Sequence, residues 1–250
     1  MVRPSAGPMF AALYGELTPH AWHDPEHDAY QLFHQRSLAM GWLDGLWGMN
    51  DAGWEHPGAA PGAGLAAWFQ VGAGPVPGDR PLPVQPFLRC AADTAERVGR
   101  LRVSAVQVLL PVQGLDPAAR PPYAPVPSMQ TVHWFAERDP ESRTAVEVAV
   151  SGGREPAVPA LAPRLAERLR QLDQDVFVCG SHEAAGPQDL LAPPFDDSFW
   201  NGPGLHGVVL RGELVEWSCE AVGWLAETLA DLVAGLGARS PLLLTVARAG

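Results

Sequence analysis

The most regular pattern of hydrophobic and polar positions lies in the second half of the chain. Four short stretches rich in apolar and β-branched residues predict strands, at 143–150, 175–180, 207–214 and 242–247. Two stretches with apolar residues every three to four positions predict helices, at 159–172 and 217–236. The resulting order, strand–helix–strand–strand–helix–strand, is the ferredoxin-like arrangement. We therefore predict an α+β fold with a ferredoxin-like unit over residues 129–250.

The first half contains the same kinds of element in a less regular pattern. Asp24 and Pro25 are the residue types of a helix N-cap followed by proline in the first turn, which predicts a helix to about Trp47. A second helix is predicted at 87–99, and strands are predicted at 10–16, 65–71, 101–110 and, weakly, 81–86. These elements indicate a degenerate ferredoxin-like copy over residues 1–128. We expect the two halves to pack as one globular body, with helices on two antiparallel sheets.

Composition narrows the chemistry that the chain can perform. All 17 basic residues are arginine, so lysine Schiff-base chemistry and the lysine of phosphate-binding loops are excluded. Isoleucine is absent as well, while glycine and proline each number 26, a bias typical of a high-GC bacterial genome. The net charge is -11, and no run of basic residues is longer than two. Nucleic acid and anionic membrane surfaces are therefore disfavoured as partners.

The cysteines and the chain start point to a reducing compartment. Cys90, Cys179 and Cys219 are widely spaced and form neither a disulfide framework nor a CxxC motif. The first residues lack the apolar run of a signal peptide, and no stretch approaches about 18 uninterrupted apolar residues. We expect a cytoplasmic protein that does not span a membrane. We also expect no cofactor, because the glycine-rich run 72–78 includes two prolines that lack the N–H groups of a phosphate cradle.

The densest group of candidate catalytic residues lies in the Gly/Pro-rich segment after Cys179. Loops on a rigid scaffold often carry binding groups, and this one collects histidines, carboxylates, an amide and an indole. A histidine can act as general base near neutral pH when a carboxylate orients it. We predict the catalytic residues His182, Asp196, Asp197 and His206. Trp200 is predicted as a ligand wall, and Asn201 as a donor to an oxyanion.

A strand predicted over 130–137 offers a second pair of binding residues. Alternation places His133 and Glu137 on the same face. They lie roughly 13 Å apart along the strand, so only a ligand that bridges them would use both. An outward-facing, solvated strand face is the competing interpretation.

Histidines near residues 20–34 are the weak candidates for a metal site. His23 and His27 lie beside Asp24, and imidazole and carboxylate are suitable ligands for transition metals. The predicted helix starts at Pro25, however, so His23 lies outside it. We therefore predict no metal site, and a solvated helix start is the alternative interpretation.

Acidic residues at helical spacing mark the last helix and the turn before it. They are Glu213, Glu216, Glu220, Glu227 and Asp231, and the chain has no lysine to neutralise them. Such a stripe is typical of a solvated face, and it is also suited to docking a basic protein partner.

Two function classes remain open from the sequence. One is a small-molecule-binding protein, with cofactor-free acid/base catalysis of the isomerase, cyclase or hydrolase type as its enzymatic form. The alternative is a non-catalytic acidic interaction factor, such as an adaptor, chaperone or immunity protein. The first depends on the histidines, carboxylates and tryptophans of two long loops and on the cavity that a paired ferredoxin-like fold can enclose. The second depends on the high acidity, on the acidic stripe and on the absence of a sharp motif.

Overall fold

A computed structural model describes residues 6–24, 26–54, 64–121 and 140–249. These residues form a mixed α+β structure with four helices and one eight-stranded antiparallel sheet. The strands are β1 (Gly7–Pro19), β2 (Trp47–Gly53), β3 (Leu65–Ala73), β4 (Gly99–Leu110), β5 (Thr144–Ser151), β6 (Phe177–Ala185), β7 (Gly207–Leu214) and β8 (Leu242–Arg248). The helices are α1 (Ala29–Ala39), α2 (Val84–Val98), α3 (Val158–Gln171) and α4 (Cys219–Gly235). None of these helices is long and apolar enough to cross a bilayer.

The sheet is continuous across the two halves of the chain. Its strand order is β2-β3-β1-β4-β8-β5-β7-β6. The last strand of each half lies at the centre, where β4 and β8 pair from Ala105 opposite Ala247 to Leu110 opposite Leu242. The expectation of two separate sheets is therefore wrong, because this pairing satisfies two edges that would otherwise expose unpaired backbone groups.

The helices and strands follow one another in the same order in the two halves of the chain. Each runs strand, helix, strand, strand, helix, strand among the described residues. From the outer edge of the sheet inward, each half then has its second, third, first and fourth strand. β5 has β7 on one side and β8 on the other, so both of its edges are paired. The strand predicted over 130–137 lies outside the described residues.

The start of α1 and its length differ from the prediction. Asp28, not Asp24, is the N-cap, and its side chain accepts a hydrogen bond from the backbone N–H of Tyr30. Asp24 instead accepts from the N–H of Glu26 in a local turn. The helix ends at Ala39, and Trp47 begins a strand rather than ending the helix.

The first half also contains a strand at a different position from the one predicted. The extended piece predicted at 81–86 is wrong, because α2 already begins at Val84. The missing strand is β2, an edge strand whose sequence includes Gly48, Asn50 and Asp51. These residue types are depleted in strands, so local preference gave no signal there.

Each face of the sheet buries its own apolar cluster. On β1, Met9, Ala11 and Leu13 belong to a large core that includes buried residues of all four helices. The intervening Phe10 and Tyr14 point to the opposite face and join a smaller aromatic cluster. The helices therefore cover one face, and another part of the chain must cover the aromatic cluster on the other.

The long loop between β6 and β7 covers that second cluster. Phe195 packs against Phe10 with ring centroids 4.6 Å apart, and Phe10 stacks on Trp68 at 5.5 Å. The loop is anchored at Gly153, whose carbonyl oxygen accepts from the N–H groups of Leu205 and His206. The loop is thus held both by ring packing and by backbone hydrogen bonds.

We expect Gly153→Ala to lower the free energy of unfolding by about 1–3 kcal/mol and to loosen this loop. Gly153 has φ +64°, and an added Cβ would collide with the backbone oxygen of Asn201. Chemical denaturation and the rate of proteolysis within residues 186–206 measure the two effects. Gly48→Ala is the control, because no described atom lies within 4 Å of a Cβ added there. Equal stability of the two variants would contradict the anchoring role of Gly153.

Candidate functional site

The four residues predicted as catalytic lie on or near the surface. His182 is exposed on the edge strand β6, and Asp196 and Asp197 are exposed in the long loop. Asp196 caps a short 3-10 turn by accepting from the N–H of Ser198 at 2.7 Å, and the hydrogen bonds from Ser198 lower the pKa of its carboxyl group. His206 is half-buried just before β7.

Two of these residues, His182 and His206, lie apart along the sheet. His182 lies opposite Leu210 in the β6–β7 ladder, whereas His206 precedes the first paired residue, Gly207. Four positions along a strand correspond to about 13 Å. None of the four residues lines the cavities described below. Their catalytic role stays a prediction.

The predicted binding residues Trp200 and Asn201 hold the loop in place. Trp200 is buried against Phe195, with ring centroids 6.5 Å apart. The side-chain amide of Asn201 donates to the backbone oxygen of Gly152 at 3.0 Å. The other two predicted binding residues, His133 and Glu137, lie outside the described residues.

The histidines near the N-terminus contact one another only loosely. The rings of His23 and His27 lie 6.1 Å apart, and the ring of His20 stacks on Trp22 at 4.7 Å. The described residues contain no group of three or more histidine, cysteine or carboxylate side chains placed to hold a metal ion.

The acidic stripe predicted on the last helix is wrong for two of its five members. Glu227 and Asp231 are only 2% and 6% exposed, because α4 packs against α2 and is buried almost throughout its length. Glu220 is partly exposed and pairs with Arg89 at 3.3 Å. Helical spacing identified residues that share a direction, but contacts with α2 at Glu227 and with Arg120 at Asp231 placed these two in the interior.

A cleft between α2 and α4 brings together apolar, acidic and basic side chains. It has a volume of about 370 Å³ and lies between α2, the first part of β4 and the N-terminal turn of α4. We call it the α2–α4 cleft. Its apolar lining is formed mainly by Leu101, Val103, Val106, Trp217 and Val222. Its charged side chains are Arg89, Asp93, Glu96 and Glu220.

Trp217 forms a fixed aromatic wall of this cleft. Its indole N–H donates to the backbone oxygen of Val103 at 2.9 Å. The guanidinium of Arg248 lies 5.4 Å from the centre of the ring, within the range of a cation–π contact. Because both contacts restrain the indole, a ligand that packs on it meets a surface that is already ordered.

The charged groups of the α2–α4 cleft are predominantly acidic. Its lining contains three carboxylates and one guanidinium. Asp93 is held by Arg36 from α1, with 2.7 Å between Nε and the carboxylate, and Glu220 by Arg89. Within the described part of the chain Glu96 has no ion-pair partner, and its side chain is exposed at the rim. Glu96 is therefore the carboxylate most available to a ligand.

The thiol of Cys219 in this cleft is not an activated nucleophile. Burial and, to a smaller extent, the nearby carboxylates of Glu96, Glu220 and Asp93 together raise its pKa to about 12. A cysteine reacts through its thiolate, which is scarce at neutral pH when the pKa is raised in this way. The cleft is thus equipped to bind a ligand rather than to attack it through sulfur.

Sequence reasoning missed this cleft because its parts are distant in the chain. Trp217 and the backbone acceptor that fixes it are separated by 114 positions. The one local signal was a tryptophan directly before the N-cap Ser218 of a strongly apolar helix.

Comparison with known proteins gives no relative for this chain. It matches no protein-family model, no curated protein and no solved structure. The function is therefore argued from the geometry of the chain itself.

Proposed function

We propose that this protein binds a small organic cation with an apolar body in the α2–α4 cleft. The observation that carries the proposal is the combination of an ordered indole wall with an acidic rim. The apolar body of the ligand packs on Trp217, and its cationic group lies beside Glu96. A volume of about 370 Å³ is in the range of small-molecule sites.

Electrostatics favour a cation over an anion in this cleft. Two of the three carboxylates in the lining are already paired with arginines of the chain, so Glu96 is the lining carboxylate left to attract a cation, while Arg248, which is outside the lining, lies against the Trp217 ring. The N-terminus of α4 carries a positive partial charge, which Glu220 in its first turn offsets. The net charge of -11 also attracts cations over a longer range.

We also infer that each half of the chain is a ferredoxin-like unit, with residues 1–128 as the first and 129–250 as the second. The inference is supported by the shared order of elements and by the shared order of strands in the two halves. The α2–α4 cleft then lies at the seam of the two units, since α2 belongs to one and α4 to the other. Such seams are common places for ligands.

Binding is better supported than the catalysis expected from the sequence. An acid/base reaction at His182, Asp196, Asp197 and His206 remains a hypothesis without an enclosed site to support it. The alternative of an acidic interaction factor depended in part on a stripe of which Glu227 and Asp231 are buried. We therefore rank both below a small-molecule-binding protein.

Titration with tryptamine tests the proposal, and indole-3-acetate, which has the same ring system and the opposite charge, is the matched probe. We expect tryptamine to bind one site at least about tenfold more tightly than indole-3-acetate, measured by calorimetry. Glu96→Gln should weaken tryptamine binding by about two- to fivefold, because the contact is a partly solvated charge interaction.

Glu213→Gln is the control variant for this titration. It removes the same charge from an exposed position on β7, outside the cleft lining, and should leave tryptamine binding unchanged. The proposal is wrong if the two probes bind equally well. It is also wrong if Glu96→Gln and Glu213→Gln have the same effect.

A further inference from the structure

A second cavity has the opposite charge preference from the α2–α4 cleft. It has a volume of about 520 Å³ and lies at the C-terminal ends of α3 and α4, beside the segment 117–121. We call it the Arg120 cavity. Its apolar walls are Pro117, Pro121, Leu172, Leu232 and Leu236. Its charged side chains are Arg120, Arg168 and Asp231.

Arg120 is a buried cation with one unused hydrogen-bond donor. Its side chain is 8% exposed and forms an ion pair with Asp231, which is 4% exposed. Nη1 donates to the backbone oxygens of Gly78 at 2.6 Å and Arg80 at 2.9 Å. The buried Nε has no acceptor in the described part of the chain. Buried donors are nearly always satisfied, so this N–H stands out as a donor for which the described residues supply no acceptor.

Arg168 adds a second guanidinium that is not neutralised. It is exposed in the last turn of α3 and has no ion pair among the described residues. Since Asp231 is already paired with Arg120, the charge of Arg168 remains available. The lining therefore carries a net positive charge in a protein whose net charge is -11.

The helix ends near this cavity do not cancel its positive charge. Free carbonyl groups at a helix C-terminus carry negative partial charge and would repel an anion. Arg239 donates to the backbone oxygens of Ala234 and Ala238, which covers the end of α4. Arg170 donates to the backbone oxygen of Ala166 near the end of α3. The end of α4 is thus covered by a cationic donor, and Arg170 places a guanidinium in the last turn of α3.

We propose that the Arg120 cavity binds an amphipathic carboxylate. The carboxylate pairs with the exposed guanidinium of Arg168, beside the part of the wall that Arg120 forms, because guanidinium and carboxylate form charge-assisted hydrogen bonds. The hydrocarbon part lies against Leu172, Leu232 and Leu236. This site is independent of the α2–α4 cleft, and it selects ligands of the opposite charge.

Calorimetric titration with sodium octanoate tests this proposal, and octylamine of the same chain length is the matched probe. We expect octanoate to bind one site at least about tenfold more tightly than octylamine. Arg168→Gln should weaken octanoate binding by about fivefold and leave tryptamine binding unchanged. Because Arg168 is exposed, the thermal midpoint of this variant should match that of the wild type.

Arg154→Gln removes the same charge from an exposed position before α3, outside the cavity lining, and should leave octanoate binding unchanged. Equal binding of octanoate and octylamine overturns the proposal. An unchanged affinity in Arg168→Gln overturns it as well. Loss of octanoate binding in Glu96→Gln would place the carboxylate in the α2–α4 cleft and would also overturn it.

Discussion

Replacing Asp231 with alanine is expected to lower the free energy of unfolding by about 3–5 kcal/mol. Asp231 and Arg120 form an ion pair in which both side chains are less than a tenth exposed. Removing the carboxylate leaves a guanidinium that remains buried, and burial already lowers the pKa of Arg120. The cost arises from the unpaired buried charge rather than from the loss of one attractive contact. Guanidinium chloride denaturation measures it.

A double variant separates these two causes. Replacing Arg120 and Asp231 together with leucine removes both charges, so the protein should recover most of the stability lost in Asp231→Ala. Glu147→Ala is the exposed control, because Glu147 and its partner Arg211 are both about half exposed and the pair is screened by water. A loss in Asp231→Ala as small as that in Glu147→Ala would show that the buried pair is not structurally important.

The stability of the wild type relative to Glu227→Gln is expected to fall as the pH rises from about 4.5 to about 8. Burial raises the pKa of Glu227 from 4.5 to about 8, although hydrogen bonds from the N–H groups of Gln85 and Val84 oppose the shift. Between these values the folded state keeps the proton and the unfolded state releases it. Each pKa unit corresponds to about 1.4 kcal/mol, so the difference reaches at most about 5 kcal/mol.

Denaturation of both proteins at pH 5, 6.5 and 8 measures this effect. Glutamine keeps an acceptor for the N–H of Gln85, which lies 2.8 Å from the carboxylate oxygen, but it cannot ionise. Groups common to both proteins cancel in the comparison, so the difference reports on Glu227. Glu213→Gln should follow the wild-type pH profile, because Glu213 is exposed. A constant difference between wild type and Glu227→Gln over this range would contradict the prediction.

The start of α2 shows why part of the fold could not be predicted. The start of a helix is usually recognisable from an N-cap side chain that is close to the first turn in sequence. At α2 the preceding residue is Pro83, which offers no such side chain. The N–H of Gln85 is capped instead by Glu227, 142 positions further along the chain. Residues 81–86 therefore looked extended in the sequence although the helix begins at Val84.

Where local signals agreed, the sequence predicted the elements well. The predicted strand 207–214 coincides with β7, and the helix predicted at 159–172 is α3 shifted by one residue. In both elements the apolar residues recur at the spacing of the face that packs on the core. This spacing can be recognised from residues close together in the sequence. The α+β class is confirmed for the same reason. Pairing between strands depends on contacts across the chain, so the joining of β4 to β8 had no comparable signal.

The sequence alone determined the chemical groups and most of the local elements. Without lysine, any cationic group that holds a carboxylate must be arginine or histidine. Only the tertiary structure decided which groups are buried, paired or open. It enclosed Glu227 and Asp231, left Glu96 at a rim and buried the Nε of Arg120 where the described residues offer it no acceptor. The physical reason is that burial and charge pairing arise from contacts between residues far apart in sequence, which spacing along one helix does not encode.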